Sequence, residues 1–157
     1  IFGYAVKHPS RYGVVEFNSK GNAISIEEKP EKPKSKYAIP GIYFLDNKSI
    51  KYAKELNPSE RGELEITDLI KRYLKDDALK VTKLNRGFVW LDAGLPSTLH
   101  QASSYIQTIQ ERQDVSIGCI EEDCYRAGFI DKKQLRKIVE TYPDSEYRLY
   151  LERVLSE

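Results

Sequence analysis

The run Arg86-Gly-Phe-Val-Trp-Leu-Asp-Ala-Gly94 constrains this chain more than any other. Its apolar middle reads as a buried strand over residues 88–92, ending on a carboxylate and closed by a nearby glycine. Side chains alternate between the faces of a strand, so Trp90 and Asp92 fall on one face. An aromatic wall beside an acidic group at a strand end has the character of an active-site lip. It suits a sugar next to a metal-bound phosphate.

Further strands read at residues 1–6 and 12–17, the latter joined to Ala23–Glu28 by the turn-prone run Asn18-Ser-Lys-Gly-Asn22. Pro30, Pro33 and their neighbouring lysines form a polar loop, with strands again at 37–45 and 79–85. Ile66, Leu69, Ile70, Tyr73 and Leu74 stand at relative positions 0, 3, 4, 7 and 8, which is one helix face. Ser97 can cap a helix whose stripe includes Leu99, Ala102, Ile106 and Ile109. After Gln113 the composition shifts. Asp131 with Gln134 opens a capping-box-like helix carrying Leu135, Ile138 and Val139. A last helix follows, with Tyr147, Tyr150, Leu151, Val154 and Leu155 on one face. The expected fold is α/β: a partial mixed sheet over residues 1–112, then a helical appendage over 113–157.

A 157-residue chain can build a core without disulfide staples. A net charge of +1 argues against a general nucleic-acid scaffold. No apolar run approaches the roughly 18 residues of a membrane span, and no signal-peptide pattern opens the chain. Cys119 and Cys124 have no flanking Cys or His at metal spacing, which points to a reducing cytoplasm rather than a bridge or a zinc site. The chain contains no Met and opens directly in a strand-like run, so it reads as a piece of a longer protein.

Several residues are candidates for chemistry, each with a plainer alternative. Glu28 shares a face with Ile24 and Ile26, and is either a carboxylate that sugar hydroxyls would satisfy or a solvated strand end. Lys29 could reach a phosphate as a point charge or lie in solvent. Ile39, Gly41 and Tyr43 share a face on which the glycine leaves a slot, or marks a bulge. Tyr12-Gly13 lets backbone approach a ligand, or is a simple turn. Arg61, before the helix near Glu65, offers a planar fork for phosphate, or sits beside acids at the surface. His8 and His100 are isolated.

Taken in order, these runs resemble one family. They are Arg11-Tyr-Gly-Val-Val-Glu-Phe17, Ile26-Glu-Glu-Lys-Pro30, Pro33-Lys-Ser35, Gly41-Ile-Tyr-Phe44, Pro58-Ser-Glu-Arg-Gly-Glu-Leu-Glu-Ile-Thr-Asp68 and Arg86-Gly-Phe-Val-Trp-Leu-Asp92. The family is the sugar-1-phosphate nucleotidyltransferases, with a Rossmann-like fold, and within it the glucose-1-phosphate thymidylyltransferases; the chain looks like the C-terminal portion of such a protein. The resemblance implies that a glucose 1-phosphate oxygen attacks the α-phosphorus of dTTP, giving dTDP-glucose and pyrophosphate. It implies that Tyr12 and Gly13 line the sugar, that Glu28 binds its hydroxyls, and that Lys29 and Arg61 hold its phosphate. Ile39, Tyr43 and Trp90 would enclose it, and Asp92 would be one of two aspartates on Mg²⁺. Arg86, Glu122 and Arg126 would contribute to a regulatory nucleotide site. The family's glycine-rich loop, base pocket and other metal aspartate are not among these residues, so the chain alone is expected to turn over little substrate. Strands built to sit beside an upstream half would expose an apolar edge, so the chain is expected to self-associate as a homo-oligomer. Alternatives are a nucleotidyltransferase using UTP, CTP or ATP, and a noncatalytic sugar-phosphate-binding or oligomerisation module. Two local features depart from the family pattern: Pro40, which removes an N–H from the 37–45 strand, and Ala93-Gly94-Leu95-Pro96 after Asp92.

Overall fold

The computed structural model describes residues 1–157 as two compact units, Ile1–Trp90 and Leu91–Glu157. The division along the chain falls between Trp90 and Leu91, upstream of the compositional shift after Gln113.

In the first unit, β2 (Gly13–Phe17) and β3 (Ala23–Glu28) form an antiparallel hairpin. Its turn is held by Asn18, whose Oδ1 accepts from the Lys20 and Asn22 amides at 3.0 Å each, while Gly21 takes the left-handed backbone at φ 84°. Two other strands, β1 (Phe2–Ala5) and β4 (Tyr37–Ala38), and the short β5 (Thr82–Lys83) complete a mixed sheet in the order β3-β2-β4-β1-β5. Only the β1–β5 pair is parallel. Helix α1 (Lys48–Lys54) precedes α2 (Ile66–Lys75), which packs on β3. The periodic face expected of α2 supplies the core: Leu69, Ile70 and Tyr73 are buried, and Ile70 joins Val15, Ile26 and Ile39 in one cluster.

Three expected strands are shorter or absent. Pairing at 37–45 stops after Ala38, although the Ile39 amide still donates to the Gly13 carbonyl at 2.8 Å. Pro40 has no N–H to continue the ladder, and Ile42 and Phe44 beyond it are exposed. Of 79–85 only Thr82–Lys83 pairs, and 88–92 has no partner strand in this chain. A single extended segment gains ladder hydrogen bonds only from a neighbour.

The second unit is helical: α3 (Pro96–Gln113), α4 (Ile120–Arg126), α5 (Lys132–Thr141) and α6 (Glu146–Ser156). Ser97 does not cap α3. The fixed φ of Pro96 suits a first helical residue, so the helix starts earlier, and Thr98 Oγ1 accepts from the Leu95 amide at 3.2 Å. Of the expected α3 stripe Ala102 is buried, while Leu99 and Ile106 are exposed. The capping box at α5 forms as read: the Gln134 amide donates to Asp131 Oδ1 at 2.7 Å, and the Asp131 amide to Gln134 Oε1 at 2.9 Å. Leu135, Val139, Tyr150, Leu151 and Val154 close a core with Cys119. No helix is long and apolar enough to cross a membrane.

Tyrosines clasp α4 to the rest of this unit. Tyr147 donates to Glu121 Oε2 at 2.5 Å, Tyr142 to Glu121 Oε1, and Tyr150 to Glu122. Burial pushes the Glu121 carboxyl up, but the Tyr142 and Tyr147 hydroxyls outweigh it and hold the group below the usual carboxylate range. A carboxyl depressed by folding adds stability above its unfolded pKa, and that stability is lost as pH falls through the folded value. Tyr147→Phe should therefore destabilise the second unit most near neutral pH, and progressively less as pH drops below 4.5, the ordinary glutamate value. Urea unfolding across pH 3 to 7, at about one-unit steps, reads this out; a penalty independent of pH would contradict it.

Candidate functional site

The register of the β2–β3 hairpin sets Gly13 opposite Glu28. Both lie at the end of the hairpin away from its turn, where the backbone leaves the sheet. Just past Glu28, Lys29 adopts φ 41°, unusual for a residue with a Cβ, and its amide donates to the Tyr12 carbonyl at 3.1 Å. This sharp change ends the strand on Glu28 and leaves Lys29 exposed.

Gly13 has no room for a side chain. A Cβ there would stand 2.7 Å from Thr67 Cγ2 and 3.2 Å from Glu28 Oε2. Thr67, in the first turn of α2, is 2% exposed, and its Oγ1 is the one buried side-chain polar atom without a hydrogen-bond partner. A buried hydroxyl left unpaired is costly, so the docking of the first turn of α2 on Gly13 carries a polar penalty. The sequence gives one faint signal for it, a hydroxyl residue directly after the first apolar residue of a helix.

Arg61 lies on the other side of Glu28. Its Nη1 is 3.9 Å from Glu28 Oε1 and 3.3 Å from Glu65 Oε1, and its Nη2 is 2.8 Å from Glu63 Oε2. Glu28, Pro30, Ser59, Arg61, Glu65 and Asp68 line an open cleft of about 560 Å³, within the size range of small-ligand sites. Burial, then the Glu28 carboxylate, push the Tyr43 hydroxyl up, which places that ring in the field of Glu28. Ile39 is buried at 6% and packs in the core. Trp90 packs edge-on against Tyr12, with centroids 4.8 Å apart, and against Tyr4 at 6.0 Å. Tyr12, Gly13, Glu28, Ile39, Tyr43, Arg61 and Trp90 thus all belong to the first unit, with Glu28 in contact with Arg61 and Gly13. Glu65, Ser59 and Thr67 are the members that no residue-by-residue reading singled out for ligand binding.

Asp92 lies in the second unit, where the Gly94 amide donates to its Oδ1 at 3.3 Å. Its carboxylate is a hard oxygen donor of the kind Mg²⁺ takes. The chain gathers no group of three His, Cys, Asp or Glu side chains able to hold a metal ion. Asp92 alone does not make a site. Arg86 sits on the Asn85–Gly87 turn of the first unit, where the Gly87 amide donates to Asn85 Oδ1 at 2.8 Å. In the second unit Arg126 Nε binds Glu122 Oε1 at 2.7 Å, and its Nη2 binds Glu157 at 2.6 Å.

The clash at Gly13 yields a paired prediction. Gly13→Ala should cost about 1–3 kcal/mol of stability, as overpacking does. Thr67→Ser, which removes the offending methyl, should recover most of that loss in the double variant. Denaturant unfolding of the three variants measures it; additive losses would contradict the packing.

The description "Nucleotidyl transferase" matches residues 1–109 of the chain. Among curated relatives, a glucose-1-phosphate thymidylyltransferase of Neisseria meningitidis is 48% identical over 155 residues, covering 99% of this chain and 54% of that protein. One of the same name from Actinoplanes is 50% identical over 151 residues, covering 96% of this chain and 50% of that protein. A Bacillus anthracis crystal structure, described as a candidate glucose-1-phosphate thymidylyltransferase in complex with a sucrose, superposes with a TM-score of 0.61 at 40% identity, covering 74% of this chain and 44% of that one. The chain spans about half the length of the curated relatives it matches. With more than two thirds of its residues under one family match, this chain belongs to the nucleotidyl transferase family.

Proposed function

We propose that this chain forms the sugar-1-phosphate side of a glucose-1-phosphate thymidylyltransferase. The observation that carries the proposal is the meeting of Glu28 and Arg61 in one open cleft, with Glu28 paired to Gly13 across the hairpin. A carboxylate and a guanidinium side by side match the hydroxyls and the phosphate of a hexose 1-phosphate. The names of the relatives agree.

In this account Glu28 accepts hydrogen bonds from the sugar hydroxyls, which replace the water it would lose. Gly13, whose open side admits the Thr67 methyl, seats α2 against β2 beside Glu28, and Tyr12, Tyr43 and Trp90, with Ile39 packed in the core, form the apolar surround. Arg61 takes the phosphate through two parallel N–H bonds, with Lys29 as a second, mobile charge. A sugar 1-phosphate oxygen then attacks the α-phosphorus of dTTP, and the bond to pyrophosphate breaks. Such a transfer needs chiefly positioning and charge neutralisation, which the arginine and lysine supply on the sugar side. Mg²⁺ belongs to the proposal, with Asp92 as one carboxylate ligand; when bound it would neutralise phosphate charge. Arg86 in the first unit and, separately, Glu122 and Arg126 in the second are proposed to take part in regulatory nucleotide binding. A reducing cytoplasmic setting fits the two free cysteines. Self-association would cover exposed apolar residues such as Ile42 and Phe44.

Glucose 1-phosphate should bind the 157-residue chain in calorimetry, and Arg61→Met should weaken it by about tenfold or more, the loss of charged hydrogen bonds. Pyrophosphate release with dTTP, UTP, CTP or ATP should be absent. No binding, or release abolished by Asp92→Ala, would contradict the respective halves of the proposal. In light scattering the chain should self-associate, and a monomer would count against an assembly role.

A further inference from the structure

Ser59 to Glu65 is a closed turn built around one buried charge. The Ser59 amide donates to the Glu63 carbonyl at 2.8 Å, and the Gly62 amide to the Ser59 carbonyl at 2.8 Å, with Gly62 at φ 76°. Ser59 Oγ accepts from the Arg61 amide at 3.2 Å and donates to Glu65 Oε1 at 2.9 Å. That same carboxylate oxygen accepts Arg61 Nη1 at 3.3 Å. Glu65 is 8% exposed and directly precedes α2, whose positive N-terminal end favours a carboxylate.

A charge this buried stays in place only while its partners hold it. Glu63, which takes Nη2, has a 61% exposed side chain, and pairs of that kind constrain little. We infer that Glu65, seated by the Ser59 hydroxyl, is the positioning residue that holds the Arg61 guanidinium beside Glu28. The two bonds to Glu63 and Glu65 use two of the five N–H donors of Arg61, so donors are left for a phosphate. An arginine already held loses less side-chain freedom when the phosphate arrives than one sweeping through solvent. The identity of the ligand rests on the function proposed above; the holding of Arg61 does not.

The experiment compares the 157-residue chain with Glu65→Gln, Ser59→Ala, Arg61→Met and the Glu65→Gln/Arg61→Met double variant. Glutamine keeps the shape and the bond from Ser59 but removes the charge. Affinity for glucose 1-phosphate should fall about tenfold in Glu65→Gln, as for one charged hydrogen bond, and less in Ser59→Ala. Affinity for unphosphorylated glucose should not change, and in the Arg61→Met background Glu65→Gln should add nothing. Equal losses for both sugars, a loss that persists without Arg61, or tighter binding of the phosphate would each overturn the inference. NMR relaxation of the Arg61 Nε–H group reads positioning without any ligand: ordered in the native chain, mobile in Glu65→Gln. Order unchanged between the two would also overturn it. If the native chain bound no glucose 1-phosphate, the proposed function would fall while the relaxation measurement still decided the role of Glu65.

Discussion

The pairing of Gly13 with Glu28 across the β2–β3 hairpin is the constraint on which the rest of the first unit depends. From Gly13, the carbonyl anchors the Ile39 amide and so fixes where the chain leaves the sheet at Pro40. Its absent side chain admits the Thr67 methyl, which brings the first turn of α2 against the strand. On the opposite strand, Glu28 ends the ladder within reach of Arg61, which is in turn tied to the start of α2 through Glu65. A slip of one residue in this register would send Glu28 to the other face and separate it from all of them.

The pattern of residues made some of this legible and hid the rest. The face of α2 and the capping box at Asp131 are local: a period of 3.6 residues or a three-residue spacing carries the signal, and both formed as read except that Ile66, at the head of the α2 face, is exposed. The hairpin was equally readable, because its turn chemistry is written in Asn18 and Gly21. The strands at 37–45 and 79–85 are shorter than read, and 88–92 is unpaired, because ladder pairing is decided by a neighbour rather than by the segment itself. Apolar alternation shows that a segment can pair, not that a partner is present.

The same distinction explains the site. Glu28 and Arg61 stand out in sequence because their charges flank strands and turns. Glu65 and Thr67 do not, since burial of one carboxylate and isolation of one hydroxyl arise only when α2 docks on the hairpin. In the second unit, Tyr142, Tyr147 and Tyr150 look in sequence like core aromatics, and their rings are buried or half-buried against that core. Their hydroxyls, however, all turn to Glu121 and Glu122 on α4, so the same side chains supply both packing and polar satisfaction.

The central claim is that a hexose 1-phosphate sits at the Gly13–Glu28 end of the hairpin. The most direct measurement is a titration of the isotope-labelled chain with glucose 1-phosphate, followed by NMR and mapped residue by residue. The account predicts saturable shifts centred on Gly13, Glu28, Arg61 and Thr67. Saturable shifts that leave these four residues unmoved, or no shifts at all, would contradict it.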